Sequence, residues 1–127
     1  MEEKILAARG HRWVLFDRAD RSFIGWAGLD PAAANEYELG YRLLRVHWGK
    51  GLATEASIRL LQLAFTEWGA ERVWAQTMAV NQRSRAVMER CGLRFVRTFH
   101  LKWDDPLPGT DEGEVEYELR RTDWRNG

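Results

Sequence analysis

Between Glu38 and Ala56 the chain reads ELGYRLLRVHWGKGLATEA, an apolar strand running through Gly49 and Gly51 into an amphipathic helix. Glycines let the backbone turn sharply and let a bulky ligand approach the main chain. Amides in such a turn converge on one point, and the helix start beyond it adds free N–H groups and a positive dipole end. This is a phosphate cradle, and it predicts a phosphorylated cofactor held mainly by the backbone of Gly49, Lys50, Gly51, Leu52, Ala53 and Thr54. The better-known phosphate loops do not fit. A Walker-type loop needs Lys-Ser or Lys-Thr after its last glycine, where Leu52-Ala53 stands; a dinucleotide fingerprint needs a third glycine, where Thr54 stands.

The elements that must position this loop follow from periodicity. Trp13 to Asp17 and Phe23 to Leu29 read as strands around the polar turn 18–21, with Asp30-Pro31 breaking the second and 32–35 forming a loop. Tyr37 to Leu44 is a third strand with Tyr37, Leu39, Tyr41 and Leu43 on one face. From Leu52 a helical stripe runs through Ala53, Ala56, Leu60, Ala64 and Trp68, stopped by Gly69. Val73 to Met78 is a strand and Asn81 to Arg90 a second helix, closed by Gly92. Leu93 to Trp103 is a long strand, Asp104 to Gly113 a loop, and Val115 to Leu119 a last strand. Ile5 to Ala8 is expected to be the end of a short helix. Three strands, helix, strand, helix and two strands imply an α/β domain with a mixed sheet, spanning residues 1–127.

Composition narrows the classes. At 127 residues there is room for one core. Acidic and basic residues balance at 19 each, so net charge points to neither nucleic acid nor a membrane surface. No apolar run approaches the about 18 residues of a membrane span, and the N-terminus lacks a secretory pattern. The single cysteine, Cys91, excludes an internal disulfide and reads as a small buried residue at a helix end, as expected in a reducing, cytoplasmic setting. Seven tryptophans supply core bulk and cleft walls. Nothing predicts a metal site.

Two blocks carry a resemblance. Trp48-Gly49-Lys50-Gly51-Leu52-Ala53 is similar to the coenzyme A loop Arg/Gln-x-x-Gly-x-Gly/Ala of the GNAT acetyltransferases, with Trp48 in place of the usual Arg or Gln. Asn81-Gln82-Arg83-Ser84-Arg85-Ala86-Val87-Met88-Glu89-Arg90-Cys91-Gly92-Leu93 resembles that family's second block, Asn-x-x-Ser-x-x-Val-x-Glu-Lys-x-Gly-Phe. The Leu-Gly-Tyr-Arg-Leu and Trp-Gly-Lys-Gly-Leu-Ala-Thr-Glu-Ala wording looks like the branch of ribosomal-protein N-acetyltransferases and relatives. The likeness runs from about Trp13 to Leu119 and implies the GNAT fold without its usual first strand and first two helices. It further implies acetyl-CoA as cosubstrate and transfer of acetyl to a primary amine of a protein N-terminus or small molecule.

By that resemblance the loop strand splays from its neighbour, and backbone groups of Leu43, Leu44 and Arg45 hold the pantetheine arm and the thioester carbonyl. Lys50 adds a charge contact or is simply solvated, and Trp48 packs beneath the loop. Asn81 caps its helix and also bonds the pantetheine amides. Met88 occupies the position of the tyrosine that many family members use as proton donor, which leaves Ser84 as the substitute donor to the thiolate. For the base that accepts the amine proton, Glu38 is preferred, with Glu36 on the same strand face. His11, His47 and His100 read as structural or exposed, and Tyr41 as a cleft-lining aromatic.

The short N-terminus would leave the strand near Trp13 to Asp17 as a sheet edge, with Trp26, Tyr41 and Phe65 losing cover, and this predicts a homodimer. Two rivals stay open at this point. One is a coenzyme A-binding module without turnover; the other is a phosphate-binding α/β domain unrelated to acyl transfer.

Overall fold

The computed structural model describes residues 3–9, 11–102 and 108–124. Its seven strands are β1 (Glu3–Arg9), β2 (Arg12–Asp17), β3 (Phe23–Ala33), β4 (Glu36–Leu43), β5 (Arg72–Met78), β6 (Arg94–Phe99) and β7 (Glu114–Arg120), with helices α1 (Leu52–Thr66) and α2 (Gln82–Arg90). They form one sheet in the order β1-β2-β3-β4-β5-β7-β6. Every neighbouring pair is antiparallel except β4 with β5, which α1 joins as a parallel crossover. The mixed α/β class expected from the element order is what the chain adopts.

Period-two alternation decides which side chains face the helices. Leu15, Ala27, Leu29, Leu39, Val73, Ala75, Val115, Tyr117 and Leu119 are buried, and α1 answers with Leu52, Ala56, Leu60, Leu61, Ala64 and Phe65. Burying each large apolar side chain contributes about 1.5–3 kcal/mol, so this shared layer is what holds α1 on β3 and β4. Trp68, just past α1, meets the rings of Trp13, Tyr37 and His11 at 5.8, 5.2 and 5.2 Å and closes the end of the core.

The opposite sheet face is polar over β5 and β7. Arg72 donates to Glu36, Glu116 and Glu118, Gln76 and Arg97 also bond Glu116, and Arg120 bonds Glu118. Burial disfavours charge on Glu116 and Glu118, but the hydrogen bonds outweigh it and hold both carboxyls below their ordinary value. Glu36 is thereby tied into a structural ion network rather than left for chemistry.

Several boundaries differ from the sequence expectation. Ile5 to Ala8 is strand, not the tail of a helix: β1 pairs with β2 from Glu3↔Asp17 to Arg9↔Arg12, and ladder bonds override a run with no strong period of its own. The strand over Trp13 to Asp17 is therefore not an edge, and the reason given for a homodimer falls with it. β3 continues through Asp30-Pro31 to Ala33. Leu29 N–H is the last to reach the β2 side, bonding His11 O at 2.9 Å. Pro31 points its missing donor the same way, beyond the last β2 partner, so no ladder bond is lost. β6 stops at Phe99, opposite Glu114, because β7 extends no further. Trp103 and residues 104–107 of the loop that follows lie outside the described residues.

Candidate active site

β4 and β5 are paired only at Glu36↔Arg72, Tyr37↔Val73 and Glu38↔Trp74. Beyond Glu38 they part. Leu44 N–H bonds Ile24 O at 2.9 Å, so by alternation the peptide groups of Tyr41 and Leu43 point the other way, into the gap that β5 has left. On its other side β4 stays paired with β3 to its end, at Gly25↔Leu43. A Cβ at Gly25 would lie 2.1 Å from Arg42 O, so only glycine lets β3 pass so close beneath the end of β4.

A short 3-10 turn, Arg45–His47, leads from β4 into the loop. Gly51 is the N-cap of α1 in the left-handed region at φ 77°, and Gly49 has φ 78°. A Cβ at either glycine would meet no atom within 4 Å, so the cradle opens outward rather than onto protein. Between this loop and the start of α2 lies a groove of about 680 Å³, lined by Tyr41, Trp48, Asn81 and Ser84 and, from the loop, by Gly49, Gly51, Leu52, Ala53 and Thr54 among others. Turn, splayed strand and open cradle fit a pyrophosphate with an extended arm.

Leu44 has both backbone groups engaged, its N–H by Ile24 and its C=O by His47 N–H at 2.9 Å, and Arg45 O accepts Trp48 N–H at 3.0 Å. Trp48 does not pack beneath the loop. It is 42 % exposed, donates its indole N–H to Leu43 O at 3.0 Å, and has the guanidiniums of Arg45 and Arg83 at 5.3 and 5.1 Å from its ring. An amphipathic ring with a donor to place and two cations to receive it gains more at the groove than under it. Lys50 is exposed. Asn81 caps α2, its side chain accepting Ser84 N–H at 3.1 Å.

Met88 is buried in the core at 2 % exposure, as its thioether suits, and offers no proton. The residue sequence reasoning undervalued is Tyr41. Its phenol lies 2.9 Å from Ser84 Oγ and 3.1 Å from Ser84 O, and burial pushes its pKa up to about 12 against the pull of the Ser84 hydrogen bond. The signal was present in the strand alternation, which puts Tyr41 on the helix-facing side, two residues from the strand end. Glu38 sits at the last paired position before the gap, opposite Asp30 on β3 and Trp74 on β5. Burial, then the Asp30 charge, raises its carboxyl above the ordinary value, with Arg12 pulling against them. Glu38 and the Tyr41–Ser84 pair are on different strand faces, so a reacting centre between them would lie in the gap itself. Cys91 ends α2 part-buried, its thiol pushed up to about 11 by burial and its Sγ 3.7 Å from Thr54 O.

Among the described residues no helix is long and apolar enough to cross a membrane. Sheet order, the strand gap and the glycine loop are those of an acyl-CoA N-acyltransferase fold, and the sequence profile of the acetyltransferase (GNAT) domain matches residues 1–94. The chain belongs to the GNAT acetyltransferase family. It is 40 % identical over 121 residues to FsC-acetyl coenzyme A-N(2)-transacetylase of Aspergillus fumigatus, covering 88 % of this chain and 51 % of that protein. Among solved structures, a GNAT-family acetyltransferase from Bacillus anthracis superposes with a TM-score of 0.75 at 22 % identity, over 89 % of this chain and 68 % of that one. A spermidine N-acetyltransferase from Vibrio cholerae, described as dodecameric, gives 0.71 at 23 % identity over 87 % and 64 %. The chain spans about half the length of the fungal relative it matches.

Proposed function

We propose that this chain binds acetyl-CoA and transfers its acetyl group to a primary amine of a small molecule or a protein N-terminus. The observation that carries this reading is the three-pair β4–β5 ladder, which opens at Glu38 into a gap ending at an outward-facing glycine loop. The amides of 49–54 take the pyrophosphate, with Lys50 adding charge from the exposed rim. The Leu43 and Tyr41 peptide groups, turned into the gap, bond the pantetheine arm and polarise the thioester carbonyl, and the Asn81 side chain joins them from α2. Leu44 and Arg45 shape the exit of the strand.

The amine must arrive neutral, and Glu38 is placed to take its proton directly or through one water, helped by a carboxyl already raised by burial. Nitrogen attacks the carbonyl carbon, the C–N bond forms, and the C–S pair leaves on sulfur. Ser84 meets that sulfur with a hydrogen bond. Beside the gap Arg12 pairs with Asp30 at 3.2 Å, so Glu38 is the carboxylate left to meet the incoming amine. The chain works as a homodimer in a reducing, cytoplasmic setting; the oligomeric neighbour from Vibrio cholerae supports assembly, not an exposed β2 edge. The test is thiol release from acetyl-CoA against a panel of amines and N-terminal peptides, with sedimentation in parallel. Coenzyme A binding without release of thiol to any acceptor would return the reading to a non-catalytic module.

A further inference from the structure

Two hydroxyls, Tyr41 on β4 and Ser84 in the first turn of α2, stand 2.9 Å apart at the wall of the groove. Asn81 accepts the Ser84 backbone N–H and anchors the main chain there, and Tyr41 is the hydroxyl that meets the serine side chain. The pair has two proton arrangements. In one, Ser84 donates to the Tyr41 oxygen while Tyr41 donates to Ser84 O at 3.1 Å, and only lone pairs face the groove. In the other, Tyr41 donates to Ser84 Oγ, and the serine proton is left over for the groove. A hydroxyl carries one donor, so the phenol decides whether the serine can give a hydrogen bond to anything else.

Resting on the acetyl-transfer reading above, we infer that Tyr41 is a positioning residue that donates to Ser84 Oγ and so aims the serine proton at the sulfur leaving the thioester. Neither hydroxyl surrenders its proton. An ordinary thiol titrates near ~8.5, whereas burial holds the Tyr41 phenol at about 12, and a transfer from phenol to thiolate would run uphill. The electron pair of the C–S bond stays on sulfur, stabilised by the Ser84 hydrogen bond. The thiolate takes its proton from solvent after it leaves, while the proton lost by the amine goes out through Glu38. The phenol that α2 lacks at Met88 thus stands across the groove, acting through serine rather than in its place.

The experiment is a double-mutant cycle with Tyr41→Phe and Ser84→Ala, each checked for folding by thermal melting and for coenzyme A affinity by calorimetry. Ser84→Ala loses a hydrogen bond to a charged atom, so kcat should fall about 10- to 100-fold. Tyr41→Phe leaves the serine proton free among three staggered positions and the alternative acceptors, so kcat should fall about 3- to 10-fold, with KM for acetyl-CoA within about twofold. In the Ser84→Ala background Tyr41→Phe should change nothing further. A second readout does not need turnover: the thiol of bound coenzyme A, titrated by thiolate absorbance, should have its pKa raised about 0.5 to 1 unit by Tyr41→Phe, matching the same fold-change. An unshifted thiol pKa, or an equal loss of kcat with and without Ser84, would overturn the inference. Absence of thiol release by the unaltered protein, with the thiol shift intact, would instead overturn the acetyl-transfer reading.

Discussion

Gly51→Val tests the cradle most directly. Gly51 has φ 77° and ψ 8°, and a Cβ there meets no atom within 4 Å, so the valine side chain would stand in the groove mouth rather than collide with protein. The folded state pays for the left-handed backbone about 1–2 kcal/mol, more for a β-branched residue. Binding loses more. Each amide bond to a charged phosphate contributes about 1.5–3 kcal/mol, so displacing the pyrophosphate from two amides weakens coenzyme A by about 3 kcal/mol or more, at least about 100-fold. Gly51→Asn separates the two effects, because asparagine tolerates the left-handed region yet still fills the mouth. Calorimetry with coenzyme A should show a large loss in both variants, while thermal melting shows a clear drop in Gly51→Val alone. Undiminished affinity in a folded Gly51→Val would refute the loop as the phosphate site.

Gly25→Ala should destabilise by at least about 3 kcal/mol, since its Cβ would lie 2.1 Å from Arg42 O; a melting temperature within a few degrees of the parent would contradict the close strand approach. Arg72→Met leaves Glu36, Glu116 and Glu118 facing one another without their common cation, at about 2–3 kcal/mol for so part-buried a cluster. Glu116 and Glu118 have depressed folded pKa values, so their contribution is present above the unfolded carboxylate range and lost as pH falls through the lowered folded values; Arg72→Met should flatten that acid limb in denaturant melts. For turnover, the acid limb of the pH–rate profile should disappear in Glu38→Gln. It should move to lower pH in Asp30→Asn, because the Asp30 charge helps raise Glu38; an unmoved limb in both would assign the base elsewhere.

Much of this was legible in the residues. The glycine loop, the helix stripe from Leu52 and the Asn81 cap follow local rules of turn, period and donor supply, and each formed there, although α1 ends at Thr66, short of Trp68. What was not legible depended on partners distant in sequence. Ile5 to Ala8 carries no decisive period, and only pairing with β2 makes it strand. Pro31 reads as a breaker until one sees that β2 ends before reaching it. Trp48 looks too apolar for a groove until Arg45 and Arg83 both reach its ring, and Arg83 lies 35 positions downstream (83 − 48). Tyr41 and Ser84 are separated by 43 residues, and neither sequence block announces the other.

The three-pair ladder between β4 and β5 also has a mechanical meaning. It divides the sheet into two plates, β1 to β4 carrying α1 and β5 to β7 carrying α2, hinged at Glu36–Glu38 and latched there by Arg72 reaching Glu36. A ligand lying in the gap supplies main-chain bonds where the strands themselves make none, so it serves as a removable eighth strand. On the proposed reading, coenzyme A would take up the main-chain groups of β4 that β5 leaves unpaired. Amide exchange at Tyr41 and Leu43 should slow on coenzyme A binding far more than at Gly40 and Arg42, which already face β3.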